Sequence, residues 1–197
     1  MRHWVLIRQA TCWDGACARP VSQCTPGTAR TSRAERLAPW GATIYANAAQ
    51  AVHAADFVLC FLDNGSVVSE VLFDRQVAQA LPADTLVIYF SSTSLSEAPG
   101  QAARLSAIGR NHVDAPMSGD TLVAEQDTLA IMVGGKPAAF GRTESIFEVY
   151  GRATHVGLHG AGQLAKLANQ MTIGITIGAV AEPLLLCKKM APKWQKS

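Results

Sequence analysis

From residue 41 onward the chain alternates between short apolar runs and longer amphipathic ones. "GATIY", "DFVLCFL", "DTLVIYF", "NHVDAP", "TLAIMVGG" and "ATHVG" are of strand length, and several are apolar throughout. A continuous apolar run of that length predicts a parallel strand covered on both faces. Between them lie "NAAQAVHAA", "SVVSEVLFDRQVAQAL", "SLSEAPGQAARLSAIG" and "KPAAFGRTESIFEVYG", with apolar residues at helical spacing. Asn47 is the expected N-cap of the first and Ser66 of the second. Glycine closes the third, and Pro99 stands near its start. A long helix is expected from about Gly162. This alternation predicts an α/β fold, a doubly wound and mostly parallel sheet with right-handed crossovers. In such sheets ligands bind beyond the carboxyl ends of the strands. The segments there are "LDNGS", "SSTS", "DAPMSGD" and "GLHGAG".

Two stretches break the rhythm. Residues 1–32 show no clear period, and no GxGxxG occurs anywhere in the chain. "MTIGITIGAVAEPLLLC" resembles a membrane span, but Glu182 and Pro183 interrupt it and it falls short of the ~20 apolar residues a span needs. It reads as a buried helix. "MRHWVLIRQ" lacks the apolar core of a signal peptide.

Composition narrows the classes. Of the 197 residues, 49% are hydrophobic and 16% charged, enough for a sizeable core. The net charge of +2, from 17 basic and 15 acidic residues, argues against nucleic acid or an anionic membrane as partner. Cys12, Cys17, Cys24, Cys60 and Cys187 lack metal-ligand spacing, so no metal site is expected. Their odd number fits a reducing, cytoplasmic setting.

The chemistry lies in the loops. In "GAGQLAKLANQ", Gln163, Lys166, Asn169 and Gln170 form one polar stripe, opposite Leu164, Leu167, Ala168 and Met171. Taken alone, Lys166 reads as a solvated lysine. The alternative is that it presents its ammonium to a carbonyl oxygen that gains negative charge. In "DAPMSGD", Ser118 and Gly119 offer a hydroxyl and bare N–H groups to a small carboxylate, or form an ordinary turn. Leu62-Asp63-Asn64 and Ser91-Ser92-Thr93 are generic strand–loop–helix junctions when taken singly.

Taken together, the segments "AADFVLCFLDN", "LVIYFSSTS", "VDAPMSGDTLVAEQDTLAIMVGG", "HVGLHGAGQLAKLANQ" and "AVAEPLLLC" resemble the β-hydroxyacid dehydrogenases. That family includes 3-hydroxyisobutyrate dehydrogenase and the tartronate- and succinic-semialdehyde reductases. The resemblance covers about residues 33–189. It implies a Rossmann-like domain over 1–160, with 1–32 atypical. The start of a truncated helical domain, opened by a long interdomain helix, follows over 161–197. It implies NADP or NAD as cofactor and a small 3-hydroxy acid or semialdehyde as substrate. Lys166 then corresponds to the catalytic lysine. Ser118, Gly119, Asn169 and Gln170 meet the substrate. Leu62, Asp63, Asn64 and Ser92 lie along the nicotinamide side of the cofactor. Arg30 and Thr31 would meet an adenosine 2′-phosphate.

Three departures stand out. Asp63 follows Leu62 where the family writes proline, Asp120 adds a carboxylate beside the expected anion site, and the opening glycine loop is absent. "CTPGTAR", with its codons read one nucleotide earlier, permits Val-His-Ala-Trp-Asn-Arg-Thr, which resembles the family's second strand end. Residues up to about 31 are therefore expected to be a frame-shifted translation. The chain also stops soon after its long helix begins. Pro183 should weaken that helix. Ile173, Ile177, Val180 and Leu184 would leave an apolar face for self-association. A fragment that keeps the fold without turnover is the alternative function.

Overall fold

The computed structural model describes residues 4–8, 23–26, 38–39, 42–45, 47–119 and 121–190. Among them is one mostly parallel sheet in the order β3-β2-β1-β4-β5-β6-β8-β7, with β9 on β8. The strands are β1 (Trp4–Arg8), β2 (Gln23–Pro26), β3 (Thr43–Ile44), β4 (Phe57–Phe61), β5 (Leu86–Tyr89), β6 (Asn111–Asp114), β7 (Met117–Ser118), β8 (Leu129–Gly134) and β9 (Gly151–Gly157). From β3 to β6 every pairing is parallel. β8 runs antiparallel to β6 and β7, and β9 parallel to β8.

The apolar runs become strands because both faces of the sheet are covered. Leu6, Leu59, Leu86, Ile88 and Val113 pack on one side. Their chain neighbours Val5, Ile7, Val58, Cys60, Val87 and Tyr89 pack on the other. This is the two-residue alternation of a strand with no polar face. Each fully buried Leu or Ile contributes about 1.5–3 kcal/mol.

The N-terminal stretch departs from the expectation. Trp4–Arg8 is a strand between β2 and β4, with Val5, Leu6 and Ile7 fully buried. "WVLIR" is simply too short to show a period. Gln23–Pro26 forms the next strand. Arg30, Thr31 and Asp120 lie outside the described residues, as does most of the stretch assigned to a shifted frame.

The helices are α1 (Ala48–Ala51), α2 (Gly65–Ser69), α3 (Val77–Ala80), α4 (Ala98–Ala107), α5 (Thr121–Glu125), α6 (Pro137–Phe147) and α7 (Ala161–Met190). Asn47 caps α1, its side chain accepting from Ala49 N at 2.9 Å. The helix expected over 66–81 is broken. A π turn, Glu70–Asp74, follows α2, and Gln76 at φ 57° separates it from α3. That left-handed backbone cannot continue a helix. Ser94 and Glu97 form a reciprocal capping box ahead of α4, with Ser94 N donating to Glu97 Oε2 at 3.3 Å and Glu97 N to Ser94 Oγ at 3.3 Å.

The chain divides into two compact units, Met1–Lys166 and Leu167–Ser197. The described part of the second is helical to Met190, and its side chains from Gln170 onward are exposed. The buried helix expected over "MTIGITIGAVAEPLLLC" is therefore an exposed one, because a lone helix has no second layer to face. By length and composition alone, Ala161–Met190 is long and apolar enough to cross a membrane. Pro183 sits inside it without ending it.

Candidate functional site

The parallel part of the sheet runs 3-2-1-4-5-6, an order that reverses direction between β1 and β4. Arg8 opposite Phe61 is the last pair of that junction. The residues following Phe61 therefore flank the crevice where such sheets bind their ligands. Leu62 is buried, and Asp63 and Asn64 are exposed. Asn64, not Ser66, caps α2. Its Oδ1 accepts from Val67 N at 3.0 Å and from Ser66 Oγ at 2.6 Å. The Asn64 side-chain oxygen reaches the third N–H of the helix, whereas Ser66 is already inside it.

Behind this rim, the ends of three strands are tied to the start of α7. Leu62 N donates to Ser91 Oγ at 2.7 Å, and that hydroxyl donates to Cys60 O at 3.1 Å. Gln163 reaches back from the first turn of α7. Its Nε2 donates to Ser91 O at 2.9 Å, and its Oε1 accepts from Thr93 N at 3.0 Å. Asp114, at the end of β6, accepts from Gly160 N at 2.8 Å and from Gln163 N at 3.1 Å. Both side chains are almost fully buried, Asp114 at 4% exposure and Gln163 at 3%. A carboxylate taking the first free N–H groups of a helix also suits the positive end of the helix dipole. The approach is close: a Cβ on Gly162 would meet Met132 O and stand 2.7 Å from Asp114 Oδ2. Only glycine fits there.

Lys166 lies one turn beyond Gln163 and is half-buried. Burial holds its ammonium below the ordinary lysine value. The first turn of α7 also reverses the expected orientation. Gln163, from the polar stripe, is buried, whereas Leu164, from the apolar side, is 56% exposed. The polar side faces the strand ends because the backbone groups of Ser91 and Thr93 need partners there. Asn169, half-buried, and Gln170, exposed, belong to the second unit.

"DAPMSG" is more than a turn. Met117–Ser118 is a short strand on β8, with Ser118 opposite Ala130. Asp114 lies opposite Gly134, so Ser118 stands past the carboxyl end of β6. Gly119 takes φ 142°, and a Cβ there would lie 2.6 Å from Leu129 and 2.8 Å from Val123. Ser92 is exposed on the loop after β5. Among the described residues no three His, Cys, Asp or Glu side chains converge on a metal position.

A model of the NAD binding domain of 6-phosphogluconate dehydrogenase matches residues 23–160. The chain belongs to this family. Its similarity to known proteins places it with the β-hydroxyacid dehydrogenases. It is 36% identical over 151 residues to mitochondrial 3-hydroxyisobutyrate dehydrogenase of Drosophila melanogaster, covering 76% of this chain and 46% of that protein. It is 35% identical over 158 residues to 2-hydroxy-3-oxopropionate reductase of Escherichia coli, covering 79% and 54%. The structure of Mycobacterium tuberculosis 3-hydroxyisobutyrate dehydrogenase with L-serine superposes with a TM-score of 0.88 at 28% identity, covering 99% of this chain and 68% of that one. The chain spans about half the length of the curated relatives it matches. The family match begins at Gln23, the first residue of β2, in the frame as it stands.

Sequence reasoning placed Lys166 and the strand-end loops, but passed over Asp114 and Gln163 as anchors. Their signal was a polar residue at a position with no access to water, which only the packing reveals.

Proposed function

We propose that the chain is the cofactor-binding part of a reductase or dehydrogenase acting on a small 3-hydroxy acid or semialdehyde, with NADP or NAD. The observation that carries this is the hydrogen-bonded web of Ser91, Asp114 and Gln163. It fixes the helix bearing Lys166 at the carboxyl edge of a 3-2-1-4-5-6 sheet. The exposed polar groups of Asp63, Asn64 and Ser92, set around the β1–β4 junction, fit the nicotinamide ribose side of a dinucleotide. Arg30 and Thr31 are assigned to a 2′-phosphate by sequence order alone. When bound, the nicotinamide supplies or accepts the hydride.

The protein's own residues do the rest. Lys166 gives its proton to the carbonyl oxygen during reduction and takes one back during oxidation. Ser118 and the N–H groups around Gly119 hold the substrate carboxylate, and Asn169 and Gln170 add donors farther along α7. The desolvated lysine stabilises charge that develops on oxygen more strongly than a solvated one would.

A fragment that keeps the fold without turnover is the second reading, favoured by the absence of GxGxxG. Titrating the purified chain with NADPH and NADH while following tryptophan fluorescence separates the two, followed by assay with tartronate and succinic semialdehyde. Saturable quenching with turnover supports the enzyme, and quenching alone supports the fragment. The absence of quenching removes the cofactor reading for this chain.

A further inference from the structure

A second cluster of polar groups lies at the other end of β6. His112, near the start of that strand, is 3% exposed. Its ring stacks on His159, in the loop before α7, with centroids 4.1 Å apart and planes at 15°. Nδ1 of both imidazoles is buried without a hydrogen-bond partner, and so is Arg110 Nε. The two rings line a shallow cleft that opens to solvent, together with Ser106, Arg110, Asn111, Lys136 and Ala139. No acidic side chain lines it. Lys136 is exposed and is the N-cap of α6, an 11-residue helix.

Unmet donors and positive charge with no carboxylate among them specify a ligand. Neutral imidazoles can each offer one N–H, Arg110 and Lys136 are permanent donors, and the start of α6 adds its positive dipole end. Buried polar groups without partners are rare in folded proteins and costly where they occur. One multidentate acceptor would satisfy several of them together. We infer that this cleft is a binding site for a tetrahedral oxyanion of the phosphate class, held by Arg110, His112, Lys136 and His159. It is separate from the proposed hydride-transfer site and does not depend on it.

The surroundings set the pH dependence. Burial and the neighbouring cations His159 and Lys136 push His112 down to about 3. Burial lowers His159 too; Asp114 opposes this and Lys136 adds to it. Tyr89 packs its ring 5.7 Å from His112 on the β5 side. The Asp114 carboxylate is already occupied by the N–H groups of Gly160 and Gln163. A bound anion raises both imidazole values, so binding takes up protons and tightens as pH falls. His159 adjoins Gly160, whose N–H is one of the two on Asp114. The anion therefore bears on the segment that starts α7.

The test is an NMR titration of the histidine-labelled 197-residue chain with inorganic sulfate, a tetrahedral oxyanion whose charge is the same at pH 6 and at pH 7.5. Two of the five histidines should shift saturably, more tightly at pH 6, and not with sodium chloride at matched ionic strength. Lys136→Met, at an exposed position that leaves the core alone, should weaken binding about tenfold, as loss of one charge-assisted hydrogen bond does. His159→Phe should remove one of the two responding resonances. An unchanged Kd in Lys136→Met overturns the proposal, as does an equal response to chloride or silence of the His112 and His159 rings.

Discussion

The two sides of Asp114 are built on opposite rules. Toward the carboxyl edge, Asp114, Gln163 and Ser91 are buried and their described groups meet partners at 2.7–3.1 Å. Toward the start of β6, only two residues away, His112 and His159 are packed ring on ring with Nδ1 unpaired. A satisfied buried network holds one geometry, because any movement breaks several bonds together. An unsatisfied cluster stores unfavourable energy that a proton or a ligand can relieve. The first suits a platform that aims Lys166, and the second suits a place where conditions are sensed.

The sharpest way to break that contrast is at Lys166 itself. Lys166→Ala should lower turnover by about 10²–10⁴-fold, the usual worth of general acid–base catalysis, while leaving cofactor affinity near the parent value. Retained turnover would remove Lys166 from the chemistry. The reduction rate should fall as pH rises through a value below that of an ordinary lysine, because burial disfavours the ammonium. Next in size is Asp114→Ala. It leaves the N–H groups of Gly160 and Gln163 without their acceptor, at roughly 2–4 kcal/mol in denaturant unfolding. A cost within error of zero would mean that the carboxylate does not hold the helix start. Gln163→Leu should cost less, about 2 kcal/mol, since it strands only Ser91 O and Thr93 N. Gln163→Glu keeps the acceptor for Thr93 but turns a carboxylate oxygen on Ser91 O and buries a second charge beside Asp114, so it should cost more than Gln163→Leu. If Gln163→Glu costs no more than Gln163→Leu, the polar contacts of the Gln163 amide are not what holds this junction.

How far this contrast could be read in advance depended on what each part rests on. The strands β4, β5 and β8 were legible because apolar runs such as "DFVLCFL" have one stable use, a strand covered on both sides. β1 was not, since "WVLIR" is too brief to carry a period and its neighbours in space, β2 and β4, are far along the chain. The break at Gln76 was hidden for a different reason. Its sequence stays amphipathic, and only tertiary packing selects the left-handed residue. Near the strand ends, Lys166 and Ser118 read locally as a solvated lysine and part of a turn, and only the resemblance to the family singled them out, whereas Gln163 looked like the solvent side of a helix. Its burial follows from backbone groups of the β5 loop that need partners, a demand written 70 residues away. The stacking of His112 on His159 joins residues 47 positions apart, and no local motif announces it.

Acid tests the unsatisfied side. In the unfolded chain His112 titrates near 6.5, and in the fold it is pushed down to about 3. Between those values the unfolded state binds a proton that the folded state refuses. Stability is therefore full above about pH 6.5 and is lost as pH falls through that window, by up to about 1.4 kcal/mol per pH unit from this residue. His159 is shifted in the same direction and adds to the slope. Denaturant midpoints measured from pH 7.5 to pH 5 should fall steadily in the parent chain, and His112→Phe should flatten that fall. Saturating sulfate should flatten it as well, by favouring protonated imidazoles in the folded state. A His112→Phe slope equal to the parent's would locate the acid sensitivity elsewhere and leave the stacked pair a packing feature only.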